Sequence, residues 1–316
     1  MPHRIVHMLR AGGRGRRPVM LAIAGDSAAG KTTLTRGLVE CLGADRMTAV
    51  CVDDYHRYDR AERRDKPFTA LHPDCNYIEI MEQHLQLLSM GEPILKPVYD
   101  HSTGELVRPE LVQPRDFVIV EGLLPLHTRL ARACFDITVY LDPPERLRHQ
   151  WKIQRDCAKR GYTPEQVRAE LKRREPESAA YIRPQRRWAD IVVRFAPVAG
   201  RTDPPDTPLS AELLLRPTID HPELSDVLDD AEHRAMHLRL RRDTDGRPVD
   251  ALHIHGYVPP EECQVVKKAI WERLGTGTTI PSSLGRLADG STSDPLAITQ
   301  LLLLYHLLDA DRRQAA

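Results

Sequence analysis

The sequence has no surplus charge, no long apolar run and no paired cysteines, and each lack removes a class of function. Lysine plus arginine number 45, as do aspartate plus glutamate, so the formal net charge is zero. Such a chain has no global field to draw it to nucleic acid or to an anionic membrane, and any recognition of charge has to be local. No stretch approaches the roughly 20 consecutive apolar residues of a membrane-spanning helix. "LLLLYHLL" near the end reads instead as a buried helix face. The first 17 residues carry five arginines and no acid. They lack the apolar core of a secretory signal and read as a frayed basic tail, with a targeting or partner-binding role as the alternative. Six cysteines (Cys41, Cys51, Cys75, Cys134, Cys157, Cys263) show no CxxC pair and no zinc-ligand spacing. Reduced thiols and a cytoplasmic location are expected. No internal repeat is present.

What is there is an ordinary globular balance, 41% hydrophobic and 28% charged, enough for a substantial core. From Val19 to about Pro197, short apolar runs alternate with longer amphipathic stretches. "VMLAIAG", "TAVCVDD", "DFVIVEG" and "DITVYLD" read as strands buried on both faces of a parallel sheet, each closed by Asp, Glu or Gly. Helices are expected over Lys31–Leu42, Ile78–Met90, Leu124–Arg132 and Pro144–Arg160. This alternation predicts an α/β, doubly wound, mainly parallel sheet whose ligands bind beyond the carboxyl ends of the strands. Residues 1–17 are read as tail, 18–198 as the core and 199–232 as a Pro-, Gly- and Asp-rich linker. Residues 233–316 are read as an α+β extension, with a hairpin around "DTDG" and helices over Pro260–Leu274 and Pro295–Asp309.

The first run ends in "GDSAAGKT". Gly25, Gly30, Lys31 and Thr32 fit G-x-x-x-x-G-K-[ST] at every position, after a strand and before a helix, as a P-loop requires. Backbone N–H groups from Gly25 through Asp26, Ser27, Ala28, Ala29 and Gly30 to Thr33 would cradle the phosphates of ATP. Lys31 would reach the β- and γ-oxygens, and the Thr32 hydroxyl would bind Mg²⁺. The guanine-recognition motif N-K-x-D is absent, which argues against a GTP switch.

Three further places supply acids and bases. Asp53 and Asp54 end the second strand, where a carboxylate could take the proton of an attacking hydroxyl or meet the metal; a helix or turn cap is the alternative. His56 and Arg60 follow closely and suit an acceptor that itself carries negative charge. Glu121-Gly122 closes the third strand as a Walker-B-like acid for Mg²⁺ would, although an acid closing a strand is often only a loop residue. On the helix "WKIQRDCAKRGY", Lys152, Asp156 and Arg160 share one face with Arg155 beside them. That is either a solvated face of weak ion pairs or, with the basic stretch that follows, a lid that closes on transferring phosphate.

Taken in order, "GDSAAGKTT", "VDDYHRYDR", "ALHPDCNYIEIMEQ", "KPVYDHSTG", "VIVEGLLPL", "YLDPPE", "WKIQRDCAKRGYT" and "YIRPQRRWADIVV" resemble the phosphoribulokinases within the uridine kinase-like group of P-loop kinases. The resemblance covers nearly six tenths of the chain. It implies ATP-dependent phosphorylation of the C1 hydroxyl of D-ribulose 5-phosphate to ribulose 1,5-bisphosphate, a Calvin cycle step, by a homodimer or larger assembly. It implies Asp53 as catalytic base, Glu121 as the acid at the metal and nucleotide phosphates, and Asp156 as a second catalytic acid near the metal. His56, Arg60, Tyr99 and His101 would engage the sugar phosphate, and Lys152, Arg155 and Arg160 would neutralise the phosphoryl charge in flight.

Two departures bear on regulation. Plant-type members are switched by a thiol pair, but Ala29 stands where the first cysteine would be, leaving Cys51 alone; Cys263 likewise has no C-terminal partner. Thioredoxin control of that kind is not expected. Three other functions remain open on the sequence: a uridine or nucleoside kinase, a kinase of another pentose phosphate, and a nucleotide-sensing module without catalysis.

Overall fold

The structure, a computed structural model, describes residues 16–204, 206–224 and 234–315. The basic tail before Arg16 and much of the connecting segment between 225 and 233 lie outside the described residues. The chain forms two compact units, one built from Arg17–Lys31 and Thr48–Ala189, the other from Thr32–Met47 and Asp190–Ala316.

The first unit holds strands β1 (Val19–Gly25), β2 (Met47–Cys51), β5 (Phe117–Gly122) and β6 (Ile137–Leu141), in the order β2-β5-β1-β6. β1 pairs in parallel with both neighbours, Ile23 lying opposite Glu121 of β5 and Gly25 opposite Leu141 of β6. All seven residues of β1 are buried, as a two-faced apolar run requires. Met20, Val50, Val118 and Val120 pack on Met81, Leu85 and Leu88 of helix α2 (Ile78–Ser89). A two-stranded antiparallel hairpin, β3 (Ile94–Asp100) and β4 (Glu105–Val112), projects from the same unit. The α/β class and the mainly parallel sheet are as expected.

Two elements differ from expectation. The second strand stops at Cys51, and a 3₁₀ turn over Val52–Tyr55 carries both aspartates. The helix expected over Leu124–Arg132 is confined to α3 (Arg129–Arg132). Pro125 disfavours a helical conformation at Leu124, and Thr128 caps the short helix through the Ala131 N–H at 3.1 Å. Helix α4 (Glu145–Arg160) ends at the left-handed Gly161, and α5 (Pro164–Glu177) begins with a capping box between Thr163 and Gln166. Directly after α5 come a π-helical turn, Ser178–Ile182, and a 3₁₀ turn, Arg183–Trp188.

The second unit contains α1 (Lys31–Leu42) from Thr32 onward and an antiparallel run β7-β8-β10-β9. Its strands are β7 (Ile191–Ala196), β8 (Ser210–Leu215), β9 (Met236–Arg242) and β10 (Pro248–Ile254). The hairpin around Asp243–Gly246 forms as expected, whereas β8 falls wholly within the stretch read as linker. Helix α6 (Pro260–Leu274) matches its expected bounds, and α7 (Asp294–Ala315) runs beyond Asp309. α7 is buried nearly all round; its Gln300 amide donates to the Thr33 and Leu34 carbonyls of α1 at 3.3 and 3.2 Å. Among the described residues no helix is long and apolar enough to cross a membrane.

Candidate active site

The phosphate loop leaves β1 at Gly25. A Cβ there would lie 2.9 Å from the Leu141 carbonyl oxygen, so the loop can turn this close to β6 only with glycine. Ala28 (φ +64°) and Gly30 (φ +98°) both take left-handed conformations, costly for the alanine, and such conformations build backbone anion nests. Lys31 Nζ folds back to the Gly25 and Asp26 carbonyls at 2.8 and 3.0 Å, within the loop it would serve. Asp26 is not a free loop acid. It is buried, accepts the Ser27 N–H at 2.7 Å and the Ser178 hydroxyl, and faces Arg148 at 3.4 Å. Thr32 and Thr33 follow as the second and third residues of α1, in the other unit.

The structure separates the two aspartates. Asp54 is committed: its carboxylate ion-pairs with Lys96 of β3, a lysine only 4% exposed, and accepts the Tyr99 N–H at 3.4 Å. Among the described residues, Asp53 accepts the Leu123 N–H alone, through Oδ1 at 2.9 Å, which leaves Oδ2 uncommitted. Gly122 makes room for it, since a Cβ there would come within 2.3 Å of Val52 Cγ2 and 2.8 Å of Asp53 Oδ1. Glu121, one residue earlier and half-buried, lies opposite Ile23 and so at the same end of the sheet as Gly25. Mg²⁺ on nucleotide phosphates takes one or two protein carboxylates and fills its octahedron with phosphate oxygens and water. Asp53 and Glu121 fit that donor count. Among the described residues no cluster of three or more His, Cys, Asp or Glu offers an all-protein cage.

Past Asp53, the rings of His56, Tyr99 and His101 pack together. His56 is buried, its Nδ1 2.7 Å from Asn76 Oδ1. Asn76 Nδ2 donates to the Ala70 and His72 carbonyls at 3.2 and 2.9 Å, so Oδ1 is the acceptor and His56 Nδ1 carries the proton. Burial first, then the Arg63 charge, lowers the His56 pKa to about 4. At neutral pH His56 therefore offers Nε2 as a hydrogen-bond acceptor for a hydroxyl, not a positive charge for a phosphate. Its ring meets Tyr99 edge-on at 4.8 Å, and Tyr99 meets His101 at 5.0 Å. The Asp53 charge acts on both histidines, and the Arg160 charge acts on His101.

Arg60 does not point at open space. Its guanidinium donates to the His101 carbonyl at 2.7 Å and braces the β3–β4 turn. A cation absent from the sequence assignment, Arg63, packs beside these rings. It lies over the Tyr99 ring at 4.9 Å and donates to the Tyr99 hydroxyl, while its buried Nη1 has no hydrogen-bond partner among the described residues. The only signal in the sequence was its place in the basic stretch "RAERRD", just past the end of the matched block.

On α4 the solvated-face alternative fails. Asp156 and Lys152 are each 1% exposed at their side chains and pair at 2.8 Å; Arg155 Nε adds a second bond at 2.8 Å and Arg160 approaches to 3.6 Å. Burial alone would raise the Asp156 pKa, but the hydrogen bonds from Arg155 and Lys152 outweigh it and hold the carboxyl below its ordinary value. Burial, then the Arg174 charge, lowers that of Lys152. Asp156 thus gathers three cations at its own position, while Arg155 Nη2 reaches Ser27 Oγ at 3.4 Å. Arg148, also missed in the sequence, contacts the same loop through the Ser27 carbonyl at 3.4 Å.

All six cysteines are free. Burial, then the Asp53, Asp54 and Glu121 charges, push the Cys51 thiol well above its ordinary pKa, so it is a poor nucleophile for disulfide exchange. Turnover is expected to be equal after oxidised and reduced dithiothreitol treatment; severalfold activation by the dithiol would contradict this.

Comparison with known proteins places these residues in a family. The family model described as phosphoribulokinase / uridine kinase matches residues 20–200. A phosphoribulokinase of Synechocystis is 43% identical over 181 residues, 57% of this chain and 54% of that protein. A chloroplastic phosphoribulokinase of Triticum aestivum is 35% identical over 198 residues, 57% of this chain and 49% of that protein. The chain thus spans about half the length of these relatives. A uridine kinase of Chloroflexus aurantiacus is 30% identical over 180 residues, 55% of this chain and 86% of that protein. The solved structure of a Rhodobacter spheroides phosphoribulokinase superposes with TM-score 0.57 at 17% identity, covering 82% of this chain and 97% of that one. That last likeness is one of fold.

Proposed function

This chain belongs to the phosphoribulokinase/uridine kinase family, and from that premise we propose that it transfers the γ-phosphoryl group of ATP to the C1 hydroxyl of D-ribulose 5-phosphate. The observation that carries the proposal is the contrast at residues 53 and 54. One carboxylate is locked to Lys96, and the other keeps an oxygen uncommitted among the described residues, in the same unit as Arg63, His56 and His101. A sugar phosphate brings a charge for a cation such as Arg63 to meet; a nucleoside does not.

In the proposed reaction the C1 oxygen attacks the γ-phosphorus in line. Asp53 Oδ2 takes its proton, and the bond to the β–γ bridging oxygen breaks to release ADP. His56 Nε2 accepts from a sugar hydroxyl, Arg63 and His101 hold the sugar phosphate, and Tyr99 orients Arg63. Arg60 supports the turn that carries His101. Lys31 exchanges its two loop carbonyls for phosphate oxygens, and Arg155 and Arg160 meet the charge on the moving phosphoryl group. Glu121 and the Thr32 hydroxyl, with Asp53 as a further carboxylate, would hold Mg²⁺, which would supply charge neutralisation on the nucleotide. The protein is proposed to act in the cytoplasm as a homodimer or larger assembly, with residues 18–198 as the catalytic core.

An ADP-release assay across ribulose 5-phosphate, ribose 5-phosphate, xylulose 5-phosphate and uridine tests this. A kcat/KM for ribulose 5-phosphate at least about 10²-fold above that for uridine is expected, since a site built for a charged group rejects an acceptor lacking it. Preference for uridine would make the protein a nucleoside kinase, preference for another pentose phosphate would reassign its substrate, and ATP binding without turnover of any acceptor would make it a sensor.

A further inference from the structure

Two adjacent residues at the end of α5 hold the two loops that would carry the two substrates. Ser178, the first residue of the π-helical turn and only 3% exposed, donates to Asp26 Oδ2 inside the phosphate loop, 152 residues away in sequence. Glu177, the residue before it, accepts the Thr69 N–H at 2.8 Å and also the Thr69 hydroxyl. Thr69 is buried in the segment between Arg63 and Asn76, on the acceptor side. One turn further, the Tyr181 hydroxyl lies 3.0 Å from His72 Nε2. His72 belongs to the same segment, where its carbonyl accepts from Asn76, the partner of His56.

The local structure is unlike an ordinary helix end. Pro176 lies inside the last turn of α5, where it has no N–H to give, and the chain passes at once into a π turn. A π turn carries an unfavourable hydrogen-bond pattern and is kept mostly where its altered side-chain register serves a site. Successive helical residues point about 100° apart, so one can face the phosphate loop while its neighbour faces the acceptor segment.

We infer that Glu177 and Ser178 are positioning residues that couple the two substrate loops. On nucleotide binding, rearrangement of the phosphate loop around Asp26 passes through Ser178 and Glu177 to Thr69, and so to the Asn76–His56 pair. Neither residue touches a reacting atom. This rests on the proposed kinase function for its meaning, but its first test needs only nucleotide.

Hydrogen exchange is followed by mass spectrometry on the full chain with and without ADP and Mg²⁺. In the parent, ADP is expected to slow exchange both in residues 25–31 and in the 66–76 segment that contains the Thr69 amide. In Ser178→Ala the first effect should persist and the second disappear; Ser178→Thr, which restores a hydroxyl, should bring the second back. Glu177→Gln should also lose it. Calorimetry then measures ribulose 5-phosphate binding with and without ADP. A tightening of at least about fivefold by ADP in the parent, within the usual range of coupling between sites, should fall below about twofold in both Ser178→Ala and Glu177→Gln. Affinity for ADP alone should stay within about threefold of the parent in each.

Protection of 66–76 that survives in Ser178→Ala, or that is absent from the parent, would overturn the inference. So would a parallel loss of both ligand affinities with their coupling intact, the mark of a merely structural contact. Failure of ribulose 5-phosphate to bind the parent at all would overturn the proposed substrate while leaving the exchange result to decide the coupling.

Discussion

Asp53→Asn is expected to lower kcat by about 10³-fold while leaving the KM for ATP within a few-fold of its parent value. The substitution is chosen because the fold should not register it. The single hydrogen bond Asp53 makes is accepted from the Leu123 N–H, and an asparagine carbonyl oxygen accepts it equally well. Asparagine is isosteric with aspartate, so the close approach of residue 53 to Gly122 is kept. What the amide cannot do is take a proton, and its NH₂ group would place a donor where the attacking hydroxyl needs an acceptor. The loss therefore falls on the chemical step, measured as single-turnover phosphoryl transfer with ATP and ribulose 5-phosphate both saturating. Asp54→Asn should behave differently. It removes one of the two charge partners of buried Lys96, leaving Glu110 at 3.0 Å, so thermal stability should drop along with activity. A loss below about tenfold in Asp53→Asn would show that the proton leaves by another route.

That pair of residues also marks where sequence stops informing. The strands β1, β5 and β6 are legible because a strand buried on both faces must be apolar along its length, and few alternatives share that pattern. The phosphate loop is legible because its glycines, lysine and threonine are fixed by backbone geometry at contiguous positions. "DD" is not legible in the same way, because which of the two carboxylates is tied down is decided by Lys96, 42 residues on from Asp54. Lys96 lies in a hairpin whose strand contains a proline and a register shift, and whose partner strand is almost wholly exposed. Arg63 was hidden for a related reason. In a stretch with several arginines, only tertiary packing decides which guanidinium lies on Tyr99 and which binds the turn carbonyls. Helical spacing did place Lys152, Asp156 and Arg160 on one face, but spacing is blind to burial, and burial turns a weak surface trio into the charged core of the site. The link from Ser178 to Asp26 has no sequence signal at all.

The burial of that trio sets up the second large effect. Asp156→Asn should destabilise the unit by about 3 kcal/mol, roughly 10 °C in Tm, and reduce kcat/KM by about 10². The carboxylate accepts from Lys152 and Arg155 and faces Arg160; with an amide in its place one of those cations meets an NH₂ donor, and Lys152 keeps a buried charge with no full counter-charge. Arg155, released from Asp156, also loses the orientation that brings it to Ser27 in the phosphate loop. The pH dependence separates this account from simple misfolding. In the parent, the Asp156 carboxyl is held below its ordinary pKa, so its contribution is complete above pH about 4 and is lost as pH falls through the folded value. Lys152 works in the other direction. Its folded pKa is lowered by burial and by Arg174, so the unfolded chain binds the extra proton and stability rises with pH through the folded value. Removing the Asp156 charge lowers that value further, so the folded variant reaches the neutral lysine at lower pH than the parent does. The Tm gap between parent and Asp156→Asn, read by calorimetry, should therefore narrow as pH rises through the alkaline range. A gap that stays constant across that range would mean that Lys152 is not left carrying an uncompensated charge, and that Asp156 is not what holds the cations in place.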